Sequence, residues 1–200
     1  MPAAAFLGGF LLYLRTLCGS YPIVDGGELL AVGGTLGVAH PPGYPLLALL
    51  ARFFLLVPAG SPCFRMQLVC PIAGAAAAVL VFMMMRGLGR LPAAGLAIVM
   101  MCHWTFWSQC LVMKGFTFVT HLSLVLLALF LLSSRPVGYW PKLALVTGLA
   151  FANHAQGAVI LAASLLVVLA LRRGRCSGIG AGDFLKAAVL FSLGLGLYLY

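Results

Sequence analysis

The sequence predicts an all-α, polytopic membrane protein of about seven transmembrane spans, and three observations predict it. Apolar residues make up 64% of the 200-residue chain and charged residues only 8%, a balance foreign to soluble domains. The apolar residues come in long unbroken runs, not alternating segments, so helices rather than a β-barrel satisfy the backbone in lipid. Acidic residues nearly vanish: three against twelve Lys and Arg, for a formal net charge of +9. That excess reads as anchoring at the cytoplasmic surface. No basic cluster accompanies a soluble fold, so nucleic acid is not an expected partner.

The spans follow from the apolar runs: residues 3–17, 64–85, 91–111, 116–133, 142–153, 155–171 and 184–200. The first run has no basic segment before it and is read as a span, not a signal peptide. From Ala3 to Leu17 it extends only ~22 Å as a helix, against a ~30 Å hydrocarbon core. That shortfall, and an apolar run still open at Tyr200, suggest a portion of a longer protein. Residues 18–60 form the first outer loop. Within it, 42–57 is apolar but short, precedes Pro58 and Pro62, and carries Arg52, so it is read as an interfacial helix. The chain as a whole, 1–200, reads as one transmembrane domain without repeats. Gly174, Gly178 and Gly182 mark a flexible inner loop. Six cysteines (18, 63, 70, 102, 110 and 176) form no CxxC pair and read as structural or incidental thiols.

The basic residues set the orientation. With 42–57 on the outer surface, helix 64–85 runs inward. Arg86, Arg90, Arg135, Lys142, Arg172, Arg173, Arg175 and Lys186 then fall in three inner loops. A full span at 42–57 would put those loops outside, against the positive-inside rule. The favoured orientation gathers Asp25, Glu28, His40, Lys114, Asn153 and His154 at the outer face. Arg15 and Arg65 are exceptions to the rule there.

Ionised carboxylates at membrane depth cost at least ~2.5–3.5 kcal/mol each, so Asp25 and Glu28 draw attention. Two readings are open. A helix starting near Gly26 makes Asp25 its N-cap and Glu28 part of a box-like capping pattern. Alternatively, the i, i+3 spacing aims both carboxylates at a water-filled cavity, as general base or metal ligand. His40-Pro41-Pro42-Gly43-Tyr44 is a rigid turn into the interfacial helix, with Pro42 suited to its first turn. His40 and Tyr44 are candidates to bind a phosphate or sugar hydroxyl beside the carboxylates. Lys114, at the outer end of a span, either snorkels or meets a lipid phosphate. Asn153-His154 is either a tight outer turn or a polar pair facing the same cavity. No spacing of His and Cys defines a metal site. Two acidic residues are few for a divalent cation, which would need a lipid phosphate to complete its shell. No Walker loop, GxGxxG, HExxH or GxSxG is present, so the sequence gives no sign of nucleotide-driven transport, zinc proteolysis or serine hydrolysis.

The run DGGELLAVGGTLGVAHPPGYPL resembles the first outer loop of a multi-span family long catalogued as a domain of unknown function. That family includes a eukaryotic protein O-mannosyltransferase and many bacterial members. Its pattern there is Asp-Ser-Gly-Glu-Leu, then Gly-Val-Ala-His-Pro-Pro-Gly-Tyr-Pro. Here the residues are Asp25-Gly26-Gly27-Glu28-Leu29 and Gly37-Val38-Ala39-His40-Pro41-Pro42-Gly43-Tyr44-Pro45. Ser61 to Arg86 is similar to the family's next block, and Gly148 to Gly157 to its Asn-His turn. Gly26 replaces the usual Ser. Lys114 stands where the family carries a Glu in the second outer loop.

The resemblance implies a GT-C-type glycosyltransferase. Its donor is a polyprenyl-phosphate-linked sugar, with mannose the candidate, and its acceptor a protein hydroxyl. It implies an acidic residue of the first outer loop at the reaction centre. Here Asp25 is read as the general base, and Glu28 supports it or helps place a divalent ion. His40, Tyr44, Lys114, Asn153 and His154 face substrate, with His40 and Lys114 meeting the donor phosphate. The setting would be the bacterial inner membrane or the endoplasmic reticulum, with the site on the outer or lumenal side. The rival readings are a non-catalytic relative acting as scaffold and a lipid-carrier transporter. A transporter needs a polar path through the spans, and the sequence shows almost none.

Overall fold

The structure, a computed structural model, describes residues 2–19, 25–41, 43–134, 139–155, 158–159, 161–163 and 181–199. Most of the expected span 155–171, the basic residues Arg135, Arg172, Arg173 and Arg175, and Pro42, Gly174 and Gly178 lie outside the described residues.

Among the described residues the chain is all-helical. Ten α-helices follow in order: α1 Pro2–Thr16, α2 Gly26–Thr35, α3 Pro45–Phe54, α4 Pro62–Gln67, α5 Val69–Met85, α6 Arg90–Cys102, α7 Trp104–Gln109, α8 Phe116–Ser134, α9 Tyr139–Asn153 and α10 Ala181–Leu195. Short 3₁₀ turns at Arg86–Leu88, Met113–Gly115 and Gly196–Leu199 extend α5, lead into α8 and close α10. Three of these stretches are long and apolar enough to cross a membrane: Pro62–Leu88, Met113–Ser134 and Ala181–Leu199. Helices α1 and α9 have 15 residues each, about 22 Å of rise.

Within 42–57 a shorter helix forms, α3. Its first position is taken by Pro45, which pre-sets the helical φ and loses no needed N–H. The expected unbroken span 91–111 does not form. Helix α6 stops at Cys102, His103 is extended (φ −65°, ψ 125°), and α7 restarts at Trp104. The break turns two aromatic rings onto α1: Phe106 packs edge-on against buried Tyr13, 6.3 Å between centroids, and Trp107 Nε1 donates to Thr16 Oγ1 at 3.1 Å. A continuous helix would lose that fit.

Helix α5 is the hub, packed against α1, α6 and α8. Its buried face is built from Gly74, Ala75, Ala77 and Ala78, whose small size lets neighbouring backbones approach. At the other side of the molecule α9 crosses α10 through two glycines. A Cβ on Gly148 would stand 2.5 Å from the Phe191 carbonyl oxygen and 3.2 Å from Gly194 Cα.

In the first loop, α2 packs on α3, and a Cβ on Gly33 would meet Ala51 Cβ at 2.5 Å. Gly33 is thus a packing glycine within the loop. Two arginines hold the loop's helix ends. Arg52 Nη1 donates to Gly34 O at 2.8 Å, and Arg65 Nη1 to Leu55 O at 2.9 Å. Each places a cation where unpaired carbonyls gather at a helix C-terminus.

Candidate functional site

The first loop folds back on itself after α2. Leu36 takes a left-handed conformation (φ 55°), and Gly37 N donates to Val32 O at 3.2 Å. This reversal carries His40 to Glu28. The Glu28 carboxylate accepts from the His40 backbone N–H at 2.7 Å and faces His40 Nδ1 at 2.8 Å. With Nδ1 donating to Glu28, Nε2 is left to accept from the Tyr44 hydroxyl at 3.3 Å. The Tyr44 ring lies 5.8 Å from that of His154, between centroids. A carboxylate, an imidazole and a phenol therefore form one polar chain, with the His154 ring against the phenol.

Asp25 takes a different partner. It occupies the N-cap position of α2 and makes no side-chain capping bond. Its carboxylate instead pairs with Lys114 Nζ at 3.0 Å. The capping-box expectation is therefore corrected at both residues. The carboxylates take tertiary partners, Lys114 and His40, in place of the local amides. Both members of the Lys114 pair are substantially exposed, so the pair contributes no more than about 1 kcal/mol.

The electrostatics follow. The Glu28 carboxyl is held below the usual range, first by the His40 backbone N–H and then by the His40 side chain. The Tyr44 phenol is pushed above its usual value, first by burial and then by the charges of Asp25 and Glu28, so it stays protonated at neutral pH. The two carboxylates face basic partners in different directions, and among the described residues no three of His, Cys, Asp and Glu converge. The pair is not arranged as a cage for a divalent cation.

Tyr44 also lines a half-open, mostly apolar cavity of about 230 Å³, with Val38, Pro41, Gly43 and Tyr198. Tyr198 was not expected here. It comes from the far end of the chain and donates its hydroxyl to Phe151 O at 3.1 Å. Nothing local distinguishes it in sequence, since only the α9–α10 crossing brings it to the loop. Asn153, expected to face the cavity or the turn, is fully buried, and its Nδ2 donates to Thr117 O at 2.9 Å. It ties α9 to α8 directly behind His154.

The fold and this cluster define the class: a helical membrane protein whose first loop presents a carboxylate–histidine–tyrosine chain and a lysine-paired aspartate beside an apolar cavity. The family model described as protein O-mannosyl-transferase TMEM260 N-terminal domain matches residues 25–176, and the chain belongs to that family. Among curated proteins it is similar to the protein O-mannosyl-transferase TMEM260 of Mus musculus, 46% identical over 80 residues. That match covers 40% of this chain and 11% of the mouse protein. No solved structure matches the chain.

Proposed function

We propose that this chain carries the reaction loop of a GT-C-type membrane glycosyltransferase with about seven spans. It would move a sugar, mannose being the candidate, from a polyprenyl-phosphate carrier to a protein hydroxyl at the outer or lumenal face. The observation that carries the reading is the cluster of Asp25, Glu28, His40, Tyr44 and Lys114 within the matched family region.

Each residue has a role in the proposal. In the transfer, the acceptor oxygen bonds to the sugar's anomeric carbon as the bond from that carbon to the carrier phosphate breaks. Asp25 takes the acceptor proton, and the phosphate leaves with the electron pair. Lys114 first holds Asp25 and then exchanges it for the donor phosphate. The exposed ion pair is weak enough for that exchange. Glu28 fixes the His40 ring, so that Nε2 and the Tyr44 hydroxyl meet the phosphate or a sugar hydroxyl together. His154 braces Tyr44, and Asn153 sets the position of His154. The carrier's isoprenoid end would rest against the apolar cavity beside Tyr44 and Tyr198.

One observation favours a second reading, a non-catalytic relative acting as scaffold: Lys114, in place of the family's Glu, already occupies Asp25. A single assay separates the two. Transfer of labelled sugar from polyprenyl-phosphate donors to membrane protein is followed for the native chain and for Asp25→Asn. Loss of transfer in the variant, with expression and helicity intact, supports the enzyme and its base. Equal transfer removes Asp25 from the mechanism. No transfer from either, while an active relative works in the same assay, supports the scaffold.

A further inference from the structure

A second site takes shape at the other end of α5. Near its start, Cys70 Sγ donates to Val112 O, close to Lys114. Arg86 follows the last turn of α5, about 24 Å along the helix axis from Cys70. There, Arg86 and Arg90 line a recess of about 210 Å³ with Pro2 and Phe82. The two arginines sit on either side of Gly89, whose positive φ of 105° turns the chain so that both side chains line the same recess. Among the described residues neither guanidinium makes a hydrogen bond or ion pair. A phosphate held between two guanidiniums satisfies both forks.

Phe82 is a shared wall. Beyond it runs a groove of about 300 Å³ between α1, α5 and α6, lined by Ala4, Gly8, Ala94, Ala97 and Met101 and almost entirely apolar. Small residues on α1 and α6 keep it open, and a Cβ on Gly8 would meet nothing within 4 Å. The surface around it exposes Leu7, Leu91, Ile98 and Val99, as a lipid-facing surface does.

The geometry points to one composite site for an anionic membrane phospholipid. The phosphate head sits between Arg86 and Arg90, and one acyl chain lies past Phe82 in the α1–α6 groove. Charge selects the head: basic pockets at the ends of membrane helices hold anionic headgroups, whereas a zwitterionic head brings its own cation against two arginines. The adjoining groove selects a lipid over free phosphate. This site is independent of the glycosyltransferase reading.

The test is native mass spectrometry of the chain in mild detergent, titrated separately with phosphatidylglycerol, phosphatidylcholine and inorganic phosphate. One phosphatidylglycerol per chain should be retained in preference to phosphatidylcholine. Arg86→Gln with Arg90→Gln should weaken retention about 30-fold, at about fivefold per arginine. Both side chains are exposed and unbonded to described residues, so the fold should hold, as helicity will report. Gly8→Leu, filling the open groove, should also release phosphatidylglycerol. Equal retention of the two lipids, or native retention in the double variant, would overturn the headgroup assignment. Native retention in Gly8→Leu, or equally strong binding of inorganic phosphate, would overturn the acyl-chain groove and with it the composite site.

Discussion

Replacing Gly148 by alanine tests the close crossing of α9 and α10. The added Cβ would lie 2.5 Å from the Phe191 carbonyl oxygen. Backbone atoms cannot rotate aside, so α9 and α10 must part by roughly 1 Å to regain an ordinary contact near ~3.5 Å. A gap of ~0.5–1 Å forfeits a quarter to a half of each contact's attraction, and overpacking a fitted interface costs ~1–3 kcal/mol. Alanine also gains ~0.8–1.0 kcal/mol over glycine in helix preference, which hides part of that cost. Gly95→Ala in α6 supplies the control, because a Cβ there meets nothing within 4 Å and only the helix preference remains. Taking the difference between the two variants cancels the preference. Gly148→Ala should be less stable than Gly95→Ala by ~1–3 kcal/mol, measured by reversible denaturant unfolding in mixed micelles. Variants equal within ~0.5 kcal/mol would refute the tight crossing. They would also remove the reason for Tyr198 to reach the first loop.

Other perturbations probe the loop and its support. The folded-state pKa of Glu28 is lowered. The stability its contact with His40 gives is therefore present above the unfolded carboxylate value and lost as pH falls through the folded one. Glu28→Gln should remove that acid-dependent loss of stability, read from unfolding midpoints against pH; identical pH profiles in both chains would contradict it. Gly33→Val should loosen α2 from α3 at a cost of ~1–3 kcal/mol, because its Cβ meets Ala51 Cβ at 2.5 Å; a native unfolding midpoint would count against this packing. Asn153→Ala removes the bond to Thr117 O, and interhelical bonds of this kind are worth ~0.6 and at most ~1.7 kcal/mol in membranes. Under the proposed function, sugar transfer should fall further than stability does, since His154 and Tyr44 lose their backing. A drop in stability alone would leave Asn153 purely structural.

The helical class and the approximate positions of α3, α5 and α8 were legible in the sequence, because unbroken apolar runs and Pro45 act locally. The break at His103 was not. It is decided by where Phe106 and Trp107 find partners on α1, and hydropathy does not register that choice. The candidate site divides in the same way. Asp25, Glu28, His40, Tyr44 and Lys114 stood out as polar groups in an apolar chain, but their pairing did not. Spacing alone left Asp25 and Glu28 open to a capping pattern or to a shared cavity on one helical side. The left-handed Leu36 reverses the chain and gives Glu28 to His40, while Lys114, from the turn before α8, claims Asp25. Tyr198 carries no local signal at all.

The two arginines on helix ends imply an order of assembly. Arg52 of α3 closes the end of α2, and Arg65 of α4 closes the end of α3. Each short helix is thus sealed by the helix made next, across separations of 18 and 10 residues. Contacts so near in sequence form early and at small loop-closure cost. The first loop can therefore zip up as it leaves the ribosome and translocon, N-terminal part first. Lys114 arrives only after α5, α6 and α7 have been made, so the pairing with Asp25 is a late event. A ribosome-bound chain ending before Lys114 would already hold both arginine contacts, with Asp25 still unclaimed.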